Sequence, residues 1–232
     1  GCDKYPVVPN TFCCWGLDVR SGATLTIDRG VFFVSGMLTV AGTLVFTGAQ
    51  TLEISAPKAS FAGATIVPAE STVRILDGVE QIDFGSSGFN YVEIVRSGGT
   101  LALSAGLRAK SFYMRVTDST EVVFAAGCTL EAGMAVCSCS AVAEGKCLSL
   151  KSAESGTAWY LKTPQSAYMT GVRVSDSTAS GATAIASLSA NDGRNTNWTF
   201  DADLREWVGG TDDKFETAAN WSPVGVPTDT TD

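Results

Sequence analysis

The chain has 232 residues, 45% of them hydrophobic and only 17% charged, with 24 glycines and a formal net charge of −8. It has no histidine, which excludes Ser-His-Asp and Cys-His catalysis and His-ligated zinc. No basic patch interleaved with aromatics points to nucleic acid, and no apolar run reaches the length of a membrane span, so no transmembrane segment is expected.

Residues 1–16 (GCDKYPVVPNTFCCWG) read as irregular and are expected to cap the first coil and shield its open strand edges. Strand-like units follow in close order: LDVRSG, ATLTIDRG, then Val31–Gly48, which written in sixes is VFFVSG, MLTVAG, TLVFTG. In each six the second and fourth residues are apolar and the sixth is glycine, the pattern of very short strands with one inward-facing pair and a turn. The pairs run Leu17/Val19, Leu25/Ile27, Phe32/Val34, Leu38/Val40, Leu44/Phe46 and Leu52/Ile54. One short strand cannot bury such a pair alone; a stack of turning coils can.

Pro57–Ala69 loosens the period, and strands resume with TVRIL, QIDF, YVEIV and TLAL. LRAKSFYMRV (107–116) alternates with a phase slip near Ser111, which predicts a bend or bulge. EVVF, TLEA, CLSL, AWYLKT and YMTGVRV follow, and Asp176–Trp198 is rich in Ser, Ala, Asn and Gly before the close at NTNWTF. These features predict an all-β, right-handed parallel β-helix (β-solenoid) of short three-strand coils. Each coil would take roughly 18–24 residues, and seven to nine coils would stack at ~4.8 Å. The expected organisation is a cap over 1–16, a solenoid over 17–200, and an acidic linker or start of a following repeat over 201–232. Residues 1–200 carry 16 acids and 14 bases, residues 201–232 carry 8 acids and 2 bases, so the charge sits in the tail.

The seven cysteines are Cys2, Cys13, Cys14, Cys128, Cys137, Cys139 and Cys147. In a turn-rich β-protein this count predicts disulfides and an oxidising compartment. Cys128 and Cys147, about one coil apart, are the leading pair. Cys2 is expected to pair with Cys13 or Cys14, and Cys137 and Cys139 to share a strand face. A four-cysteine metal site lacks CxxC knuckles. A chain that starts without Met reads as a mature or excised segment of a secreted precursor.

Three segments carry a resemblance: 71–107, 156–200 and 207–232. They resemble modules of large bacterial cell-surface proteins built as parallel β-helices, similar in architecture to filamentous adhesins and autotransporter passengers. In such modules a strand-rich coil ending in an sGgTLtL-like run is followed by a closing motif, which here stands as Ser189–Phe200 (SANDGRNTNWTF). Arg194 and Asn197 occupy positions where small, glycine-like residues are usual. Trp207, Gly209, Ala219-Asn220-Trp221 and Val226-Pro227 resemble the opening of such a module, with YPVVPN (5–10) as its continuation. The resemblance implies a piece of a tandem array at a secreted or cell-surface location.

For chemistry, Asn191, Asp192, Asn195 and Asn197 are a candidate calcium set, set against an Asx-turn closing the last coil. Asp201, Asp203, Asp212 and Asp213 are read as a solvated linker. Beyond possible calcium, no cofactor is expected. Arg96, Arg108, Lys110 and Arg115 beside Glu93 form the best lyase-like constellation, and Glu80, Asp83 and Glu93 are the carboxylates available to a glycosidase. Trp159, Trp207 and Trp221, with Trp15, are candidates to stack on sugars, set against core packing. The function expected is a non-catalytic structural or adhesive module whose partners are a surface glycan or neighbouring repeats. The alternative is a carbohydrate-active module, lyase-like or glycan-binding.

Overall fold

A computed structural model describes residues 7–8, 11–139, 148–201, 206–207, 209, 211–214 and 216–222. It is all-β, a parallel β-solenoid of about 8 turns. The strands form a 4-stranded sheet, a 19-stranded sheet that wraps the remaining faces, and a separate 2-stranded ladder. Every pairing in the two larger sheets is parallel.

Stacking register shows why the apolar pairs matter. On one face Phe12 pairs with Phe32, Phe32 with Leu52, Leu52 with Val73, Val73 with Val92 and Val92 with Phe112. Each step advances the chain by 19–21 residues (20, 20, 21, 19, 20), so like positions superimpose coil on coil. From Phe32 upward these inward residues are buried, as are Val34, Leu38, Val40, Leu44, Phe46, Leu52 and Ile54. Each such side chain contributes about 1.5–3 kcal/mol relative to exposure. Further along, Met114, Cys137 and Met169 stack in register as a buried sulfur-bearing column.

The period then changes. One coil is longer, Val136 pairing with Tyr168 32 residues on, after which the repeats shorten: Tyr168 to Ile185 is 17 and Ile185 to Thr199 is 14. Small core residues fit the tighter coils: Ala167, Ala179, Ala184 and Ala186 are buried. Trp198 and Phe200, their rings 6.0 Å apart, pack against the core at that end.

Two expectations need correction. Val31–Val40 is a single ten-residue strand, so the first two sixes are one bent strand and not two. Gly36 and Gly42 lie outside the positive-φ glycines. They are needed for close approach instead: a Cβ on Gly36 would fall 2.6 Å from ring carbons of Trp15, and one on Gly42 would run into the Arg20 and Ala23 carbonyl oxygens. Thr11–Val19 is also already a strand of the first coil, paired with Val31–Val40, where the sequence reading has irregular cap. The remainder of 1–16 beyond Val7–Val8 lies outside the described residues.

Candidate functional site

The phase slip near Ser111 marks a corner. Three long strands turn there: Gly88–Arg96, Leu107–Val116 and Thr129–Cys139. Register jumps over Asn90, Lys110 and Gly133, the residues at the bend. A cleft of about 540 Å³ opens at this corner, lined by residues that include Phe89, Arg108, Lys110, Glu131, Lys162 and Pro164. Phe89 is 4% exposed and braced edge-on by Phe61 and Phe84, with ring centroids 5.3 and 5.5 Å away, so the floor is anchored in the core.

Coil stacking places Arg108 over Glu131 and Glu131 over Lys162. Glu131 holds Arg108 Nε at 3.8 Å and Lys162 Nζ at 3.5 Å. Both distances are long for charge-assisted hydrogen bonds. Among the described residues Lys110 forms no ion pair, and its side chain is exposed.

The rest of the lyase-like constellation is dispersed. Arg96 is buried and donates to the Val79, Gly98 and Thr100 carbonyls, closing its strand end. Burial pulls its pKa down, opposed by Asp77. Arg115 and Glu93 lie on the next face in an ion ladder. There Arg74 donates to Glu93 at 2.8 Å and to Glu53 at 2.8 Å, and Arg115 lies 3.5 Å from Glu93. Arg115 also stands 5.9 Å from the centre of the Tyr113 ring, which stacks on Tyr91 at 4.8 Å. Asp83 accepts the Gly85 N–H in a turn, and Glu80 and Glu93 are not among the cleft residues.

The candidate calcium oxygens are engaged within the chain. Asn191 Oδ1 accepts from the Gly193 N–H and from Asn195 Nδ2, while Asn195 Oδ1 accepts the Ser177 N–H and its Nδ2 also donates to the Val174 carbonyl. Asn197 Nδ2 reaches the Ala179 and Ala182 carbonyls, and Arg173 forks onto both Asp192 oxygens. This is Asx chemistry closing the last coils. Arg194 and Asn197 sit at φ of 57° and 59°, so both positions demand the conformation glycine takes most easily. Arg194 instead ties down Asp176, itself at φ 53°.

Trp159 is fully buried, stacked on Phe124 with its indole N–H donated to the Ser175 carbonyl, and offers no face to a sugar. Its neighbour Tyr160 points outward, 41% exposed. Trp207 and Trp221 are directly paired across the small antiparallel ladder Glu206–Trp207/Trp221–Ser222. In that segment Asn220 is buried and serves as a hub. Its Oδ1 accepts from the Thr211 and Asp212 N–H groups, and its Nδ2 donates to the Asp212 and Lys214 carbonyls.

The cysteine expectation is also corrected. Cys13, Cys14, Cys128 and Cys137 carry free thiols. Cys2 and Cys147, the expected partners of Cys13 or Cys14 and of Cys128, lie outside the described residues. Cys137 and Cys139 do share one buried strand face. Burial pushes Cys128 up to about 11 and Cys137 up to about 12.

Sequence reasoning grouped the cations by proximity along the chain and so missed Glu131 and Lys162. The usable signal was the coil repeat, which the 31-residue separation of Glu131 and Lys162 departs from. Among the described residues no group of three or more cysteine and carboxylate residues converges as a metal site, and no helix is long and apolar enough to cross a membrane. No protein-family model matches the chain, and neither the curated proteins nor the solved structures yield a match.

Proposed function

We propose that the chain is a non-catalytic module of a secreted or cell-surface protein, acting as a stalk or adhesive element whose partners are a surface glycan and neighbouring modules. The observation that carries this reading is the ladder Glu53–Arg74–Glu93–Arg115, in which successive coils use their outward charges to bind one another. Glu121–Lys151 and Asp192–Arg173 repeat the device elsewhere. Charges spent on holding coils together suit a load-bearing rod better than a catalytic groove.

The test compares two activities of the purified chain: adhesion to cells and immobilised glycans, and depolymerisation of a polysaccharide panel. Adhesion without depolymerisation is expected; depolymerisation would overturn the reading. The corner cleft favours the glycan-binding form of the alternative. Its single carboxylate, already shared by two cations, does not supply the pair that glycoside hydrolysis uses.

A further inference from the structure

We propose that the corner cleft binds an acidic glycan, through a sugar unit bearing a carboxylate or a sulfate. This rests on the adhesive reading above and names its ligand class. The cleft carries three cations, Arg108, Lys110 and Lys162, against the one carboxylate of Glu131, a local net of +2 in a chain of net −8. Residues 1–200 are nearly neutral, with 16 acids against 14 bases, so the cleft is a local positive site that concentrates anions.

The cations are also available. The coil-joining ion pairs at Arg74 and Arg173 close to 2.8 Å, while the outer pair of the ladder, Arg115 and Glu93, stands at 3.5 Å. In the cleft they stand at 3.5 and 3.8 Å, and Lys110 has no carboxylate among the described residues. An incoming anion completes the coordination that Glu131 alone leaves loose.

The floor sets the rest of the specificity. Ala109 and Pro164, underlain by the buried Phe89 and Ala132, give an apolar base for the C–H face of a sugar ring, with the charges at the rim. Backbone packing keeps this base low. A Cβ at Gly133 would come 2.6 Å from the Lys110 carbonyl, and one at Gly181 would collide with the Thr163 carbonyl. At Gly88 a Cβ meets nothing within 4 Å, because that position faces open space. The volume falls in the range of small-ligand sites. The adjoining face carries Glu53 and Glu93, so the positive field does not continue into the stripe a nucleic-acid strand needs.

The test is calorimetric titration of the full chain with four probes: tetragalacturonate, a sulfated tetrasaccharide, maltotetraose, and a short single-stranded DNA. The variants are Lys110→Ala/Lys162→Ala, which strips the rim, and Gly88→Trp, which fills the cleft from its open side. Binding of at least one acidic sugar is expected, weakening with salt and falling about tenfold or more in both variants, with maltotetraose unbound. Thermal melts check folding; should Gly88→Trp fail to fold, the double alanine variant decides alone. Absence of acidic-sugar binding, binding unchanged by the variants, or DNA binding as strong as the sugars' would each overturn the proposal. Cell adhesion is measured in parallel. Adhesion by the unmodified chain without any acidic-sugar binding sinks the cleft and leaves the adhesive reading standing. Sugar binding without any adhesion sinks the adhesive reading instead.

Discussion

The indole of Trp159 lies flat against the ring of Phe124, centroids 4.0 Å apart and planes 6° from parallel. The two residues come from successive coils, and the stack fills the core just where the coils begin to shorten. Trp159→Ala is expected to cost about 3–5 kcal/mol, the usual range for a large aromatic lost from a core, measured by urea unfolding. Trp159→Phe keeps the stack but leaves the Ser175 carbonyl without its indole donor, and a loss of about 1–3 kcal/mol is expected. Glycan binding unaffected by either folded variant is expected as well, since Trp159 is closed to solvent.

The thiols should separate by reactivity. Cys13 is exposed, whereas burial pushes Cys128 to about 11 and Cys137 to about 12. Thiolate is the reactive form. In the native protein at pH 8, iodoacetamide followed by peptide mass spectrometry should therefore label Cys13 first, Cys128 slowly and Cys137 only in denaturant. Cys128 left unlabelled in denaturant without reductant would instead establish a disulfide at that position.

Arg74 joins three coils by holding Glu53 on one side and Glu93 on the other. Glu93 is 7% exposed, so removing Arg74 leaves a nearly buried carboxylate with only Arg115 at 3.5 Å. Arg74→Met is expected to destabilise by about 1–2 kcal/mol, discounted because Arg74 is itself partly solvated. High salt should narrow the gap to wild type. An unchanged urea midpoint would show that the ladder contributes nothing to cohesion between coils.

Much of the architecture was legible because a parallel solenoid writes its register into the sequence. Leu25/Ile27 and Leu44/Phe46 are the same position one coil apart, and both strands share the alternating burial that the apolar spacing implies. The glycine signal was legible but its cause was not. Gly36 and Gly42 mark sites where another segment's backbone or ring leaves no room, and only three-dimensional packing reveals that. The candidate site was half legible. Arg108 and Lys110 stand together in the sequence, yet Lys162 reaches them only through the register of a longer coil, in which Glu131 pairs with a residue 31 positions on. Arg96 resembled its neighbours in charge and differs wholly in environment.

Stability toward acid should depend on Asp176. The hydrogen bond from Arg194 is the main influence. Together with the Gly156 N–H it holds the Asp176 carboxyl below its usual range, against the opposing effect of burial. Because the folded-state value lies below the unfolded one, this contribution is complete above about pH 4. It is lost as pH falls through the folded value. Arg194→Ala keeps a side chain at φ 57° and removes the partner of Asp176 together with a hydrogen bond to the Ser155 hydroxyl. Its melting temperature should fall below wild type at pH 7, and the difference should shrink toward pH 2. Arg194→Gly also relieves the left-handed backbone and should recover part of the loss. A gap that stays constant from pH 7 to pH 2 would mean that Arg194 acts through packing and not through its charge.

The tail bears most directly on whether the chain comes from an array. Trp207 and Trp221 pair in a ladder that joins neither solenoid sheet. The loop between them is organised locally, with Asn220 binding Thr211, Asp212 and Lys214. Asp212 is held below the usual carboxylate range by the Lys214 N–H and the Thr217 hydroxyl, a further tie inside the same loop. Among the described residues the hydrogen bonds of this loop close within it, and such a unit is expected to melt apart from the rod. Truncation after Asp201 should leave the β-rich circular dichroism and the main melting transition of the solenoid within about 3 °C of the full chain, the shift that about 1 kcal/mol produces in domains of this size. Asn220→Ala should leave that transition equally unmoved while speeding amide hydrogen exchange at Thr211 and Asp212, whose N–H groups donate to the Asn220 Oδ1. Loss of the main transition on truncation would make the tail an integral part of the solenoid, and the stalk reading would then lose its modular basis.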